Sequence, residues 1–198
     1  MALFNTSRRK FLALIATLPL FGLWALYPKK QAVTLIPTPA CDDHDEPTPS
    51  QTEGPYFKPE SPERRSFMTG SITGTKLIVS GQVLNTNCQP VAKALLDWWH
   101  ADDAGNYDNT GFKLRGHQYT DQKGNFYLET IVPGLYPGRT RHLHVKVQAP
   151  GQQVLTTQLY FPNEAKNTQD GIFNQALTMH IKSAPDKLKA HFDFVLVA

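Results

Sequence analysis

The chain predicts an all-β fold, a β-sandwich of mostly antiparallel strands with long loops. Three observations support this: short apolar runs of strand length recur from residue 76 onward, turn signals separate them, and Phe126, Leu128, Thr130 and Val132 alternate onto one face. The expected strands are 76–84, 94–99, 125–132, 142–148, 154–161 and 191–197. Asp121-Gln-Lys-Gly124 supplies a turn between two of them, and 165–180 reads as loop with one helical turn near 173–176. Many short strands with turns between them argue for a sandwich, and no internal repeat is evident.

Three segments precede or compose that domain. Residues 1–40 read as a twin-arginine-type signal or membrane anchor: Ser7-Arg8-Arg9-Lys10-Phe11-Leu12 resembles the export motif, and 11–27 holds no charge. That stretch sits at the short edge of the roughly 17 to 25 residues that span a bilayer, so cleavage and anchoring to the inner membrane both stay open. A periplasmic or otherwise exported location follows from either. Residues 41–75 form a Pro-rich arm with little apolar periodicity, and 76–198 the β-sandwich domain.

Charge divides the same way. All 17 acidic residues follow Cys41, while five of the 20 basic ones precede it, so the remainder carries 15 − 17 = −2 and the formal +3 belongs to the leader. No basic stripe is left for nucleic acid. Cys41 and Cys88 are an even pair in a chain bound for an oxidising compartment; they read either as a bridge tying the arm to the turn at 85–90, or as two thiols.

The chemistry concentrates in Tyr136-Pro-Gly-Arg139-Thr-Arg-His142-Leu-His144. Strand residues two apart share a face, so His142 and His144 are spaced to grip one ion while Leu143 turns inward. Tyr107, after the Gly105 turn, is placed to close the site from another loop. Phenolate oxygens are hard and anionic, and two of them with two imidazoles favour non-haem Fe(3+) over zinc or copper. Taken singly, each residue has a plainer reading: an exposed or hydrogen-bonded His pair, a turn aromatic, a loop cap. His100, His117 and Tyr119 compete as ligands, and His117 reads as structural or as a support behind the site.

At this point the sequence resembles a known family. Thr52-Glu-Gly-Pro-Tyr-Phe57, Trp99-His-Ala-Asp-Asp-Ala-Gly-Asn-Tyr107, Thr120-Asp-Gln-Lys-Gly-Asn-Phe126, Pro133-Gly-Leu-Tyr136-Pro-Gly-Arg139, His142-Leu-His144 and Gln158-Leu-Tyr-Phe161 are similar to blocks of the intradiol ring-cleavage dioxygenases, in the same order. The nearest likeness is to an exported branch related to the beta subunit of protocatechuate 3,4-dioxygenase. The resemblance implies that Tyr107, Tyr136, His142 and His144 bind ferric iron, that Arg139 and Gln158 lie at the substrate ring, and that the protein cleaves a catechol or protocatechuate-like ring with O2 to a cis,cis-muconate-type diacid. It also implies catalytic roles for Tyr136, as a base toward a catechol proton, and for Arg139, in stabilising negative charge on the ring.

The segment between Tyr136 and His142 is shorter than in the longer family members, with Gly138 following Pro137, so part of a pocket wall is missing. Homo- or hetero-oligomers are both compatible with the family. The rival reading is an exported, non-catalytic β-sandwich binding module whose His pair holds zinc or nothing.

Overall fold

A computed structural model describes residues 46–70 and 72–197. The twin-arginine motif, the apolar stretch 11–27 and Cys41 fall outside them. Among the described residues no helix is long and apolar enough to cross a membrane. Cys88 is not a free thiol, and the expected bridge to Cys41 lies outside the described residues.

Among the described residues nine strands form two sheets: β1 Lys76–Asn85, β2 Leu95–Trp99, β3 Arg115–Tyr119, β4 Asn125–Ile131, β5 His142–Gln148, β6 Val154–Tyr160, β7 His180–Ala184, β8 Lys187–His191 and β9 Phe194–Leu196. One sheet runs β3-β2-β5-β6 and is antiparallel throughout. The other runs β4-β1-β8-β7, with β9 also pairing to β1; the β1–β8 and β1–β9 contacts are parallel. The fold is the expected all-β sandwich.

Period-2 alternation is what buries one face of each sheet. In β5, Leu143, Val145 and Val147 are fully buried in the core, each contributing about 1.5 to 3 kcal/mol by leaving water. Leu96 and Trp98 of β2, Leu77, Val79 and Val83 of β1, and Phe126 and Leu128 of β4 meet them. Trp98 packs on Phe126 and Phe194 at ring separations of 5.8 and 6.1 Å, which locks the two layers together. Thr130, also fully buried, takes the polar route: its hydroxyl bonds His100 Nε2 across the sandwich at 2.6 Å.

Three strands were not expected. β3, Arg-Gly-His-Gln-Tyr, is too polar to show a strand pattern, yet its Arg115 and Gln118 are buried. β7 and β8 fall almost wholly within 181–190, a stretch to which the sequence pattern assigns no element, and they form a hairpin; the strand expected at 191–197 is interrupted, its first residue ending β8 and β9 starting at Phe194, with Phe192 N donating to Ser80 O. The expected helical turn is a 3-10 turn at Gln175–Leu177, capped by the Asn174 side chain.

The described part of the Pro-rich arm is pinned along its length. Thr48 N donates to Val195 O and Gln51 N to Thr156 O; at β3 Arg64 N donates to His117 O and His117 N to Pro62 O, and at β4 Phe67 N donates to Glu129 O and Glu129 N to Arg65 O. It therefore covers the outer edges of β6, β3 and β4, backbone groups that would otherwise face solvent. The loops after β2, before β5 and after β6 all leave from one end of the four-stranded sheet, and the arm crosses that end.

Candidate metal centre

Alternation sends one set of side chains to the core and the other to the outer face of the four-stranded sheet. On that outer face Trp99, His144 and Gln158 are direct cross-strand neighbours, with His142 one step toward the strand start. The ring of Trp99 stacks on His144 at 4.9 Å and 8°. Gly54 of the arm also lies close to the imidazole: a Cβ there would sit 3.4 Å from His144 Cε1, and its φ of +72° is one that a residue without a side chain adopts freely.

The imidazoles converge. His142 Nε2 lies 3.1 Å from His144 Nε2 and 3.4 Å from the Tyr107 hydroxyl. His142 Nδ1 donates to Thr140 O at 2.6 Å, which fixes the tautomer and leaves Nε2 as a bare lone pair. His142 and His144 are 5% and 3% exposed. Burial drives His142 down to about 4, partly offset by the Thr140 carbonyl, and drives His144 well below its ordinary 6.5. Burial likewise raises the Tyr107 phenol above its ordinary 10. Protons are therefore a poor means of satisfying these inward-facing lone pairs near neutral pH. A multivalent cation suits them, and it would also lower the cost of ionising the phenol. Neutral nitrogen bases beside phenol oxygens are a donor set that fits ferric iron. Among the described residues no group of three or more His, Cys, Asp or Glu is placed to hold a metal, so a metal centre here must draw on tyrosine.

Tyr107 comes from the loop after β2, and Tyr136 from the loop before β5. These loops interlock through two glycines: a Cβ on Gly105 would lie 2.4 Å from Leu135 O, and one on Gly134 2.4 Å from Gly105 N. The Tyr107 and Tyr136 rings meet edge to face at 5.9 Å. The Tyr136 hydroxyl is 2.9 Å from that of Tyr56, an arm residue whose ring stacks on Tyr107 at 4.3 Å and 12°. Tyr56 was not singled out from the sequence, because an aromatic in a Pro-rich arm has no periodicity to mark it.

Arg139 reaches the same region. Its Nη2 donates to Gln158 Oε1 at 2.7 Å, its Nε bonds Asp170 Oδ2 at 2.8 Å, and Gln158 Nε2 holds Thr52 O of the arm at 2.9 Å. The residues read from the sequence thus lie in one contiguous cluster. His117 stands apart, its Nδ1 on Ser61 O at 2.7 Å, and His100 spends its nitrogens on Ala101 O and Thr130.

Comparison with known proteins decides the family. A family model described as dioxygenase matches residues 52–198, most of the arm together with both sheets. The chain belongs to the intradiol ring-cleavage dioxygenases. It is 28% identical over 172 residues to a catechol 1,2-dioxygenase of Candida albicans, covering 72% of this chain and 57% of that protein. It is 28% identical to a hydroxyquinol 1,2-dioxygenase of Nocardioides simplex, covering 66% of this chain and 53% of that one. The chain thus spans little more than half the length of these curated relatives.

Among solved structures, the dioxygenase domain of a dioxygenase and carbohydrate-binding protein fusion from the cellulolytic bacterium Streptomyces sp. SirexAA-E is 59% identical. Its TM-score is 0.75, over 76% of this chain and 98% of that one. A 3-chlorocatechol 1,2-dioxygenase from Rhodococcus opacus 1CP is 30% identical with a TM-score of 0.70, over 75% and 72%. In this member of the family the arm, matched from residue 52 onward as part of the family domain, brings Gly54 and Tyr56 against the metal-suited cluster.

Proposed function

We propose that this chain is a non-haem ferric-iron intradiol dioxygenase that opens catechol-type rings, catechol or protocatechuate-like, between their two hydroxyl-bearing carbons to give a cis,cis-muconate-type dicarboxylate. The observation that carries the proposal is the meeting at His142 Nε2 of the Tyr107 hydroxyl, 3.4 Å away, and His144 Nε2, 3.1 Å away, with the Tyr136 ring against that of Tyr107 and Arg139 bonded to Gln158 beside them. Family membership favours this reading over a non-catalytic binding module, and the names of the catechol and hydroxyquinol relatives support the substrate class.

Tyr107, Tyr136, His142 and His144 would hold the iron. Bound ferric iron supplies the electron-accepting character that makes a catecholate reactive toward dioxygen. Tyr136 accepts one catechol proton at its phenolic oxygen, and the Tyr56 hydroxyl steadies that oxygen while its charge changes. Arg139, held by Gln158, lies beside the ring and stabilises the negative charge that develops on it. Trp99, stacked on His144, and Gly54 close beside it help keep water from that imidazole, which is 3% exposed.

We propose also that the protein is exported by the twin-arginine route to the periplasm, free or anchored to the inner membrane, with a Cys41–Cys88 bridge formed there. The support is Arg8-Arg9 ahead of the uncharged stretch 11–27 and the even cysteine count. Iron loaded before export escapes competition from other metals outside.

The test is metal analysis of the purified protein together with oxygen uptake over catechol, protocatechuate and hydroxyquinol. Stoichiometric iron and uptake with at least one of these supports the reading; an iron-free protein inert to all three ends it. Replacing Arg8 and Arg9 by Lys is expected to block export.

A further inference from the structure

Three successive residues ahead of His142 are gripped by one loop on the far side of β6. Arg139 Nε bonds Asp170 Oδ2 at 2.8 Å, the Thr140 hydroxyl bonds Asn167 Oδ1 at 2.6 Å, and Arg141 Nε bonds Glu164 Oε1 at 2.8 Å. Asp170 is the deepest of the three, its side chain 3% exposed. The same Oδ2 also accepts from Thr140 N at 2.9 Å, and Oδ1 accepts from Ile172 N at 3.1 Å. Thr140 O is in turn the acceptor for His142 Nδ1. One buried carboxylate is thus joined to both the ring-side arginine and the backbone that fixes an imidazole.

We infer that Asp170 is a positioning residue for the ring-opening site, holding the Arg139 guanidinium by its Nε so that a single nitrogen remains to meet an anionic oxygen of the substrate. Arg139 Nη2 is taken by Gln158 and, more loosely, by the Tyr160 hydroxyl at 3.4 Å. Among the described residues Nη1 takes no hydrogen bond. A guanidinium bonded on two of its nitrogens cannot swing, and its planar fork turns that restraint into direction. A free arginine at the same place would keep its rotamers and give up part of its effect on ordering them. Burial alone would raise the Asp170 carboxyl, but the amides of Thr140 and Ile172 and the guanidinium outweigh it, so the group stays ionised.

The role of Asp170 in turnover rests on the proposed dioxygenase reading; its hold on Arg139 does not, and the experiment separates the two. In the metal-free full chain labelled with nitrogen-15, the Arg139 Nε–H is expected as a resolved, slowly exchanging resonance that disappears in Asp170→Asn and persists in Asn167→Ala, which loosens the same segment without touching Arg139. Absence of that resonance in the unsubstituted chain, or its survival in Asp170→Asn, overturns the inference, and the first of these needs no variant to fold.

In the iron-loaded protein Asp170→Asn is expected to keep its iron and visible absorption while kcat/KM for catechol falls about 30-fold, roughly 2 kcal/mol. The double variant Asp170→Asn with Arg139→Ala should match Arg139→Ala within about twofold, because the carboxylate has nothing left to orient. A further 30-fold loss in the double variant, or loss of iron in Asp170→Asn, makes Asp170 a general structural support and refutes the positioning role. Failure of the unsubstituted protein to bind iron or consume oxygen refutes the dioxygenase reading and leaves the resonance test standing.

Discussion

The Tyr56 and Tyr136 hydroxyls, eighty positions apart in the chain, lie 2.9 Å from each other. An arm that the sequence marks only by its prolines thereby contributes a hydrogen-bonding partner to a phenol that the sequence marks clearly. Tyr56→Phe keeps the ring stacked on Tyr107 and removes only that bond. Iron content should hold while kcat drops about tenfold, near 1.4 kcal/mol, in steady-state oxygen uptake. An unchanged kcat would separate the arm phenol from the chemistry.

The two other phenols are expected to show themselves by colour. Iron bound by phenolate absorbs visible light, so Tyr107→Phe and Tyr136→Phe should each weaken the band of the purified protein and shift it. His144→Ala should lower iron content at least tenfold, read by metal analysis. A band indifferent to both tyrosines would mean that they are not ligands.

Iron removal should also cost stability. A ligand present at a thousand times its dissociation constant adds about 4 kcal/mol to the folded state. Chelation is therefore expected to lower Tm by several degrees, reversibly on adding iron, with little change in the far-ultraviolet spectrum because both sheets are held by their own core. Scanning calorimetry before and after chelation measures it.

Acid should weaken the fold through His100. Burial holds its folded pKa at about 4 against an ordinary 6.5, and the Ala101 carbonyl offsets only part of that. Between these values the unfolded chain binds the extra proton and the folded one does not. Stability is accordingly unaffected above pH 6.5 and falls as pH drops toward 4, by about 3 kcal/mol in all. In metal-free protein His142 and His144 act in the same direction. Urea midpoints at pH 7 and 4.5 should show the loss, and His100→Gln should flatten its share.

Gly105 fixes how close the two phenol-bearing loops come. At φ +88° and with a Cβ position 2.4 Å from Leu135 O, Gly105→Ala should cost more than 2 kcal/mol and separate Tyr107 from Tyr136. Weakened visible absorption together with a lower Tm is the expected result.

What the sequence disclosed follows from the range of its signals. His142-Leu-His144 was legible because strand period alone sets which residues share a face, and β5 occupies the expected residues. Tyr107 and Tyr136 were legible because turn glycines flank them. Asp170 was not, because a single Asp in a loop carries no pattern until the fold brings it to Arg139. β3 was missed for a related reason: Arg115 is buried there, its Nη1 on Tyr56 O at 2.5 Å and its Nε on Asp108 O, and composition alone marks arginine as exposed. The split of the last expected strand is hidden because Phe192, inside the break, continues the apolar alternation of Phe194 and Leu196 beyond it.

The arm has one more effect. It guards three sheet margins and also brings Tyr56 and Gly54 to the metal-suited cluster. Peeling it back, by a nick or by mild denaturant, strips those margins bare at the moment catalysis fails. Inactivation and self-association should then share a single onset, so that turbidity tracks lost turnover.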